Sequence, residues 1–91
     1  MNNNEQLFFQ LLHIFHSSAM QSMGKLKSPL TDTIERNMEQ AKQSIDMMEM
    51  LKEFTRGNLS ADLERVLHGF LTELRLNYVD EANKDKSTMS T

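Results

Sequence analysis

Apolar residues recur every three or four positions in three long stretches of this chain, and two breaks separate those stretches. This spacing places the apolar side chains on one side of an α-helix, whereas a half-buried strand needs strict alternation of apolar and polar residues. The breaks are residues 25–31, which contain the only proline, Pro29, and the pair Gly57-Asn58. The pattern therefore predicts an all-α fold of three helices.

The helices are predicted to span about residues 4–23, 33–56 and 61–79. Asn4 and Asp32 are expected to cap the first two helices, because their side chains can accept from unpaired amides of the first turn. Gly57 suits the end of helix 2, since glycine tolerates the left-handed conformation that closes many helices. A tight connection at this glycine predicts an antiparallel hairpin of helices 2 and 3, with helix 1 packed against it.

The ordered part of the chain is expected to be one domain over residues 1–80. The polar segment 81–91 has almost nothing to bury and is expected to be a disordered tail. A single helical core of this size supplies only a few kcal/mol, and a chain without cysteines cannot reinforce it with disulfides. Self-association is a remaining means of reinforcement.

Charge and composition argue against several classes of protein. The net charge is −3 and the basic residues are scattered, so nucleic-acid binding is not expected. The N-terminus has no basic region of the kind that begins a secretory signal, which predicts a cytoplasmic protein. Residues 6–24 carry no formal charge, but several Gln, Ser and His residues interrupt them, so a membrane span is not expected.

No catalytic residue and no cofactor site is predicted from the motifs. Serines lack a nucleophile motif, glycines do not cluster into a phosphate loop, and carboxylates are interleaved with Lys and Arg as on a solvated helix face. His13 and His16 are three residues apart on helix 1 and could face one metal ion. The simpler interpretation is that the two imidazole rings pack against neighbouring side chains or face solvent.

Two helices carry more apolar surface than a three-helix monomer readily hides. On helix 1 the apolar arc covers over half the circumference, with Leu7, Leu11, Ile14 and Phe15 on one side. The C-terminal half of helix 2 has two apolar faces. The candidate interface residues are Phe8, Phe9, Leu12, Phe15, Met20, Met47, Met50 and Phe54. The abundant methionines could fill the core or form an adaptable binding surface.

Residues 41–79 carry a series of local motifs. They include Ala41-Lys42-Gln43, the pair Met50-Leu51, the turn Thr55-Arg56-Gly57-Asn58-Leu59 and the ending Glu73-Leu74-Arg75-Leu76-Asn77-Tyr78-Val79. In these motifs the chain resembles the bacterial domain-of-unknown-function family 1844, and His16 to Met23 resembles the family's first helix. The resemblance implies a fold and a bacterial cytoplasmic setting, and no mechanism. The positions that match the motif are Asp46, Gly57, Asn58, Arg75 and Tyr78.

Each of these motif residues has a structural interpretation. Gly57 and Asn58 are expected to shape a turn, and Asp46 and Arg75 to pair between helices 2 and 3. The leading functional hypothesis is a non-enzymatic protein-interaction module, a homodimer or higher oligomer built through helices 1 and 2, with the dimer favoured. One alternative is a peripheral membrane factor that lays helix 1 on lipid through its phenylalanines. Another is a small metal-dependent protein that uses His13 and His16.

Overall fold

The computed structural model describes residues 2–89, and the side chains among them through Lys86. It contains three α-helices: α1 (Asn3–Ser22), α2 (Met38–Phe54) and α3 (Ala61–Met89). Helices α2 and α3 form an antiparallel hairpin, and α1 packs against both of them. The predicted all-α, three-helix fold is confirmed.

The first two helices begin at different caps from those predicted. The side chain of Asn2, rather than Asn4, accepts from the Glu5 amide at 2.8 Å. Helix α2 begins after Asn37, whose side chain accepts from the Gln40 amide at 3.1 Å. Asp32 is no cap, because its φ of +54° lies in the left-handed region, whereas capping residues are extended.

The connection between α1 and α2 is therefore longer than predicted. Pro29 lies in a turn in which the Asp32 amide donates to the Ser28 carbonyl and the Ser28 amide to the Thr33 carbonyl, each at 2.8 Å. The second bond uses the Thr33 carbonyl, which in a helix over 33–37 would accept from the Asn37 amide. The Asn37 amide donates to the carbonyl of Ser22 at 2.7 Å and so joins the end of α1 to the start of α2.

The third helix continues ten residues beyond its predicted end at Val79, so residues 81–89 are helical rather than a disordered tail. The sequence there lacks apolar periodicity, which is why the boundary was placed too early. Ion pairs from Glu81 and Asp85 to the α1–α2 connection hold this extension instead of apolar contacts. Residues 90–91 lie outside the described residues.

The core lies where the three helices meet. Its buried apolar members are Leu12, Ala19 and Met23 near α1, Ala41, Ile45 and Met48 of α2, and Leu67, Leu71 and Leu74 of α3. The methionines are thus divided between two roles. Met23 and Met48 are fully buried core residues, whereas Met47 and Met50 are exposed on α2.

The molecule is long and flat. Its extents are 50 × 27 × 16 Å and its radius of gyration is 14.6 Å. A compact domain of this length would have a radius of gyration of about 12 Å. A slab this thin has room for little core relative to its surface, which leaves apolar side chains on its outside.

Candidate interaction surface

An exposed apolar stripe runs along α1. Leu7, Leu11 and Ile14 are all exposed, and Ile14 retains 63% of its accessible surface. The opposite side of the helix faces α3, where the ring of His16 lies 4.5 Å from that of Phe70. At about 100° per residue, the stripe lies about 140–180° around α1 from His16. It therefore points away from α3.

A matching stripe runs along α2. Met47, Met50 and Phe54 are exposed, and Phe54 retains 80% of its surface. Glu49 marks the side of α2 that faces α3, since it forms an ion pair with Arg75. Met47 and Phe54 lie about 140–160° around the helix from Glu49. This stripe also points away from α3.

The two stripes lie side by side. Because α1 and α2 are antiparallel, counting from the contact between Ser22 and Asn37 places Ile14 level with Met47 to within about 3 Å. The same count pairs Leu11 with Met50 and Leu7 with Phe54. We call these six residues the open face: Leu7, Leu11, Ile14, Met47, Met50 and Phe54. It is the surface of the α1–α2 pair opposite α3.

Toward the α1–α2 connection the same surface becomes polar, and Glu35 and Arg36 of the connection add charged groups to it. Ser18 and Gln21 of α1 line a cleft together with Gln40 of α2. Farther along α2, Gln43 lies on the same line as the open-face residues and is exposed. A partner on the open face would therefore meet apolar side chains at one end, and amides and hydroxyls at the other.

The predicted interface residues divide between surface and core. Met47, Met50 and Phe54 are exposed, in agreement with their selection. Leu12 is fully buried, and Phe8, Phe15 and Met20 pack against the core, so these four are not offered to a partner. Phe9 is half-buried, with its ring 5.3 Å from that of His13.

The α1 residues of the open face are not among the predicted interface residues. Positions 7, 11, 14 and 18 form one helical stripe, and positions 8, 12, 15, 19 and 23 form a second stripe beside it. Both have the spacing of a buried helix face. Ala19 belongs to the second stripe and is completely buried. Its small side chain is the sequence feature that indicates close packing of this stripe against the core.

His13 and His16 lie between α1 and α3. Their ring centroids are 6.5 Å apart, and both rings lie against Phe70. His16 Nε2 is buried 3.3 Å from a carboxylate oxygen of Glu73, yet makes no hydrogen bond to any described residue. Within residues 2–89, no group of three or more His, Cys, Asp or Glu side chains could hold a metal ion.

Of the residues that match the family motif, Gly57 and Asn58 lie in the turn between α2 and α3, and Asp46, Arg75 and Tyr78 lie on the two helices. Gly57 has a φ of +81°, and the Asn58 amide donates to the Thr55 carbonyl at 2.9 Å, so both shape the turn as expected. The predicted pairing of Asp46 with Arg75 is wrong. Asp46 pairs with Lys42 one turn away, and Arg75 pairs with Glu49. Tyr78 packs against the core.

The correct partner of Arg75 follows from helix geometry. Asp46 and Glu49 are three residues apart on α2, so both are near the side that faces α3. Glu49 has the longer side chain and lies where Arg75 can reach it, whereas the shorter Asp46 side chain remains with Lys42. The sequence offered two acidic candidates for one arginine, and only the packed helices distinguish them.

An ion cluster fixes the α1–α2 connection to the extension of α3. Glu81, which is buried, lies 2.9 Å from Lys84 Nζ, 3.1 Å from Lys25 Nζ and 3.3 Å from Arg36 Nε. Arg36 also bonds Asp85 at 2.9 Å. The ammonium groups of Lys84 and Lys25 lower the pKa of Glu81 from its ordinary 4.5 to about 2, although burial opposes this shift.

Acid should release this cluster. A carboxyl group with a lowered pKa in the folded state stabilises that state above its unfolded pKa, and the stabilisation disappears as the pH falls toward the folded pKa. For Glu81 the window runs from about pH 4.5 down to about pH 2. Between about pH 5 and pH 2.5, the parent chain should therefore lose about 2 kcal/mol more unfolding free energy than the Glu81→Gln variant. This difference is smaller than the full pKa shift implies, because Lys84 is exposed and salt screens its charge. Urea unfolding of both chains at the two pH values measures it, and an unchanged acid dependence would contradict the assignment.

The fold and its surfaces define a small all-helical protein with an apolar face and no helix, among the described residues, that is long and apolar enough to cross a membrane. The family model Domain of unknown function (DUF1844) matches residues 5–81, and the chain belongs to this family. Searches of curated proteins and of solved structures returned no significant match. The matched region contains the whole open face and ends at Glu81 of the ion cluster.

Proposed function

We propose that this chain is a non-enzymatic protein that works by self-association, in which a second copy docks on the open face. The observation that carries the proposal is the pair of exposed apolar stripes on α1 and α2. Single exposed apolar residues are ordinary on protein surfaces, but contiguous patches generally mark interaction sites. The setting we propose is the bacterial cytoplasm, as the family resemblance implies.

The size of the face supports a second copy as the occupant. Two helices side by side, each about 10 Å wide and about 25 Å long, give a flat footprint of roughly 500 Å². Buried on both partners, this footprint gives about 1,000 Å², which reaches the lower limit for a specific interface. Covering the face would also turn a slab 16 Å thick into a two-layer bundle with a thicker core.

The α1 half of the face is uncharged, and this half favours the apolar surface of a second copy over a charged partner. Residues 6–24 of α1 contain no Asp, Glu, Lys or Arg. A basic or acidic peptide would find no opposite charge along that helix, whereas an apolar and uncharged surface can pack on its own copy. Phe8 and Phe15 point toward the core, so two of the three phenylalanines that favoured a lipid-bound α1 are not displayed.

Light scattering coupled to size exclusion tests the proposal on the full chain. A dilution series should give a molar mass of about twice 10.6 kDa that falls toward 10.6 kDa only at low concentration. A constant mass of 10.6 kDa at the highest attainable concentration would eliminate self-association. Far-UV circular dichroism on the same samples verifies that the chain is folded.

A further inference from the structure

The open face has a charged border on one side only. Glu39, Asp46 and Glu53 are exposed and seven residues apart on α2, which places them in a row along the helix. Gln40 marks the side of α2 that faces α1, since it lines the cleft shared with Ser18. The acidic row lies about 100–140° around α2 from Gln40, so it forms the outer edge of the open face.

The corresponding edge of α1 is polar and uncharged. Gln10 and Ser17 lie seven residues apart on its outer side. Their amide and hydroxyl groups can donate hydrogen bonds to carboxylates. The open face therefore has an acidic edge on α2 and a hydrogen-bond-donating edge on α1.

A twofold dimer can pair these edges in two ways. In the first arrangement the twofold axis is perpendicular to the helices. Each helix then lies antiparallel on the same helix of the second copy. Asp46 meets Glu53 of the second copy, and Lys42 meets Arg56 of the second copy. Like charges then face each other along the α2 edge, which disfavours that arrangement. Lys42 and Arg56 pair with Asp46 and Glu53 within one chain, which weakens this repulsion but leaves no attraction between the two edges.

With the axis parallel to the helices, α1 of each copy lies on α2 of the other. Open-face residues then meet at the same level, with Leu7 beside Phe54 of the second copy and Ile14 beside Met47. At the edges, Gln10 lies about 6 Å, or about one turn, from the level of Glu53 of the second copy, and Ser17 has the same offset from Asp46. Each carboxylate therefore lies along an edge of hydrogen-bond donors instead of opposite another carboxylate.

We infer that the dimer has this second arrangement, in which α1 of each copy covers α2 of the other and the twofold axis runs parallel to both helices. The inference rests on the proposed self-association and adds the order of helices across the interface. It also places both α1–α2 connections at the same end of the dimer. The exposed Leu26 and Leu30 of the two copies then lie at one end, and the dimer has a single bivalent tip.

The absence of cysteine from the sequence allows a direct test by disulfide cross-linking. A disulfide forms only when the two Cα atoms come within about 7 Å of each other. Leu7→Cys and Phe54→Cys are made in separate chains, one of which carries a mass tag, and the chains are mixed, allowed to exchange and oxidised. Separate chains exclude a bond within one molecule. Leu11→Cys alone reports the arrangement with the axis across the helices, because Leu11 then faces its own copy.

The Leu7→Cys and Phe54→Cys chains should form the tagged, disulfide-linked heterodimer at least about tenfold faster than Leu11→Cys forms a disulfide with its own copy. The reason is that, in the inferred arrangement, only positions 7 and 54 approach disulfide distance. Rapid cross-linking of Leu11→Cys alone would overturn the inference in favour of the antiparallel arrangement. A dimer by light scattering that forms neither disulfide would overturn it as well. A monomeric parent chain would instead refute the proposed function. Leu76→Cys, exposed on the outer side of α3, gives the background rate of random collision.

Discussion

Replacing Ile14 with glutamate should convert the proposed dimer into a folded monomer and raise its dissociation constant at least about 100-fold. Ile14 keeps 63% of its surface exposed in one chain, so the monomer can accept glutamate, a better helix former than isoleucine. In the dimer, the new carboxylate would lie on the apolar open face without a partner. Burying an unpaired charge costs several kcal/mol, which is enough to prevent association.

A matched control separates this effect from a general effect of added charge. Leu76 has 68% of its surface exposed and lies about 160° around α3 from the fully buried Leu74. Leu76→Glu also replaces an exposed aliphatic side chain with glutamate, but on the opposite side of the molecule. It should leave the molar mass unchanged. Light scattering on the two variants decides the matter. An Ile14→Glu chain that remains dimeric would place the interface elsewhere.

Replacing Leu71 with alanine should lower the free energy of unfolding by about 3–4 kcal/mol. Leu71 is fully buried within the core, where it packs with residues of all three helices. The substitution removes apolar contacts and leaves a cavity that a close-packed core closes only in part. A domain of this size has a total stability of roughly 5–13 kcal/mol, so the loss is a large fraction of it.

Urea unfolding measures this loss at a fixed chain concentration, because the proposed dimerisation would add to the apparent stability. Leu76→Ala serves as the control, since the same atoms are removed from an exposed position and the change should stay within about 0.5 kcal/mol. A shift below about 1 kcal/mol for Leu71→Ala would show that its surroundings collapse around the smaller side chain. It would also mean that Leu71 is not central to the packing.

Of the open face, the α2 residues could be predicted from the sequence and the α1 residues could not. On α2 the exposed residues followed from the sequence, because Met47, Met50 and Phe54 lie opposite a separate, clearly apolar seam. On α1 two apolar stripes lie next to each other, and periodicity gives them equal weight. The structure buries the stripe that contains Leu12 and exposes the one that contains Leu11. Which stripe is buried depends on where α2 and α3 lie, and spacing within α1 has no information about that.

The number of helices, the positions of the two breaks and the chemistry of the turn at Gly57 were determined by the sequence alone. These features depend on interactions between residues within a few positions of each other, such as helical spacing and the left-handed φ of a glycine. The tertiary structure decided the rest: the late start of α2, the partner of Arg75 and the extension of α3 past Val79. Each of these depends on groups brought together from distant parts of the chain, as Glu81 is with Lys25 and Arg36. A local pattern cannot report such contacts, because their energy exists only once the helices have packed.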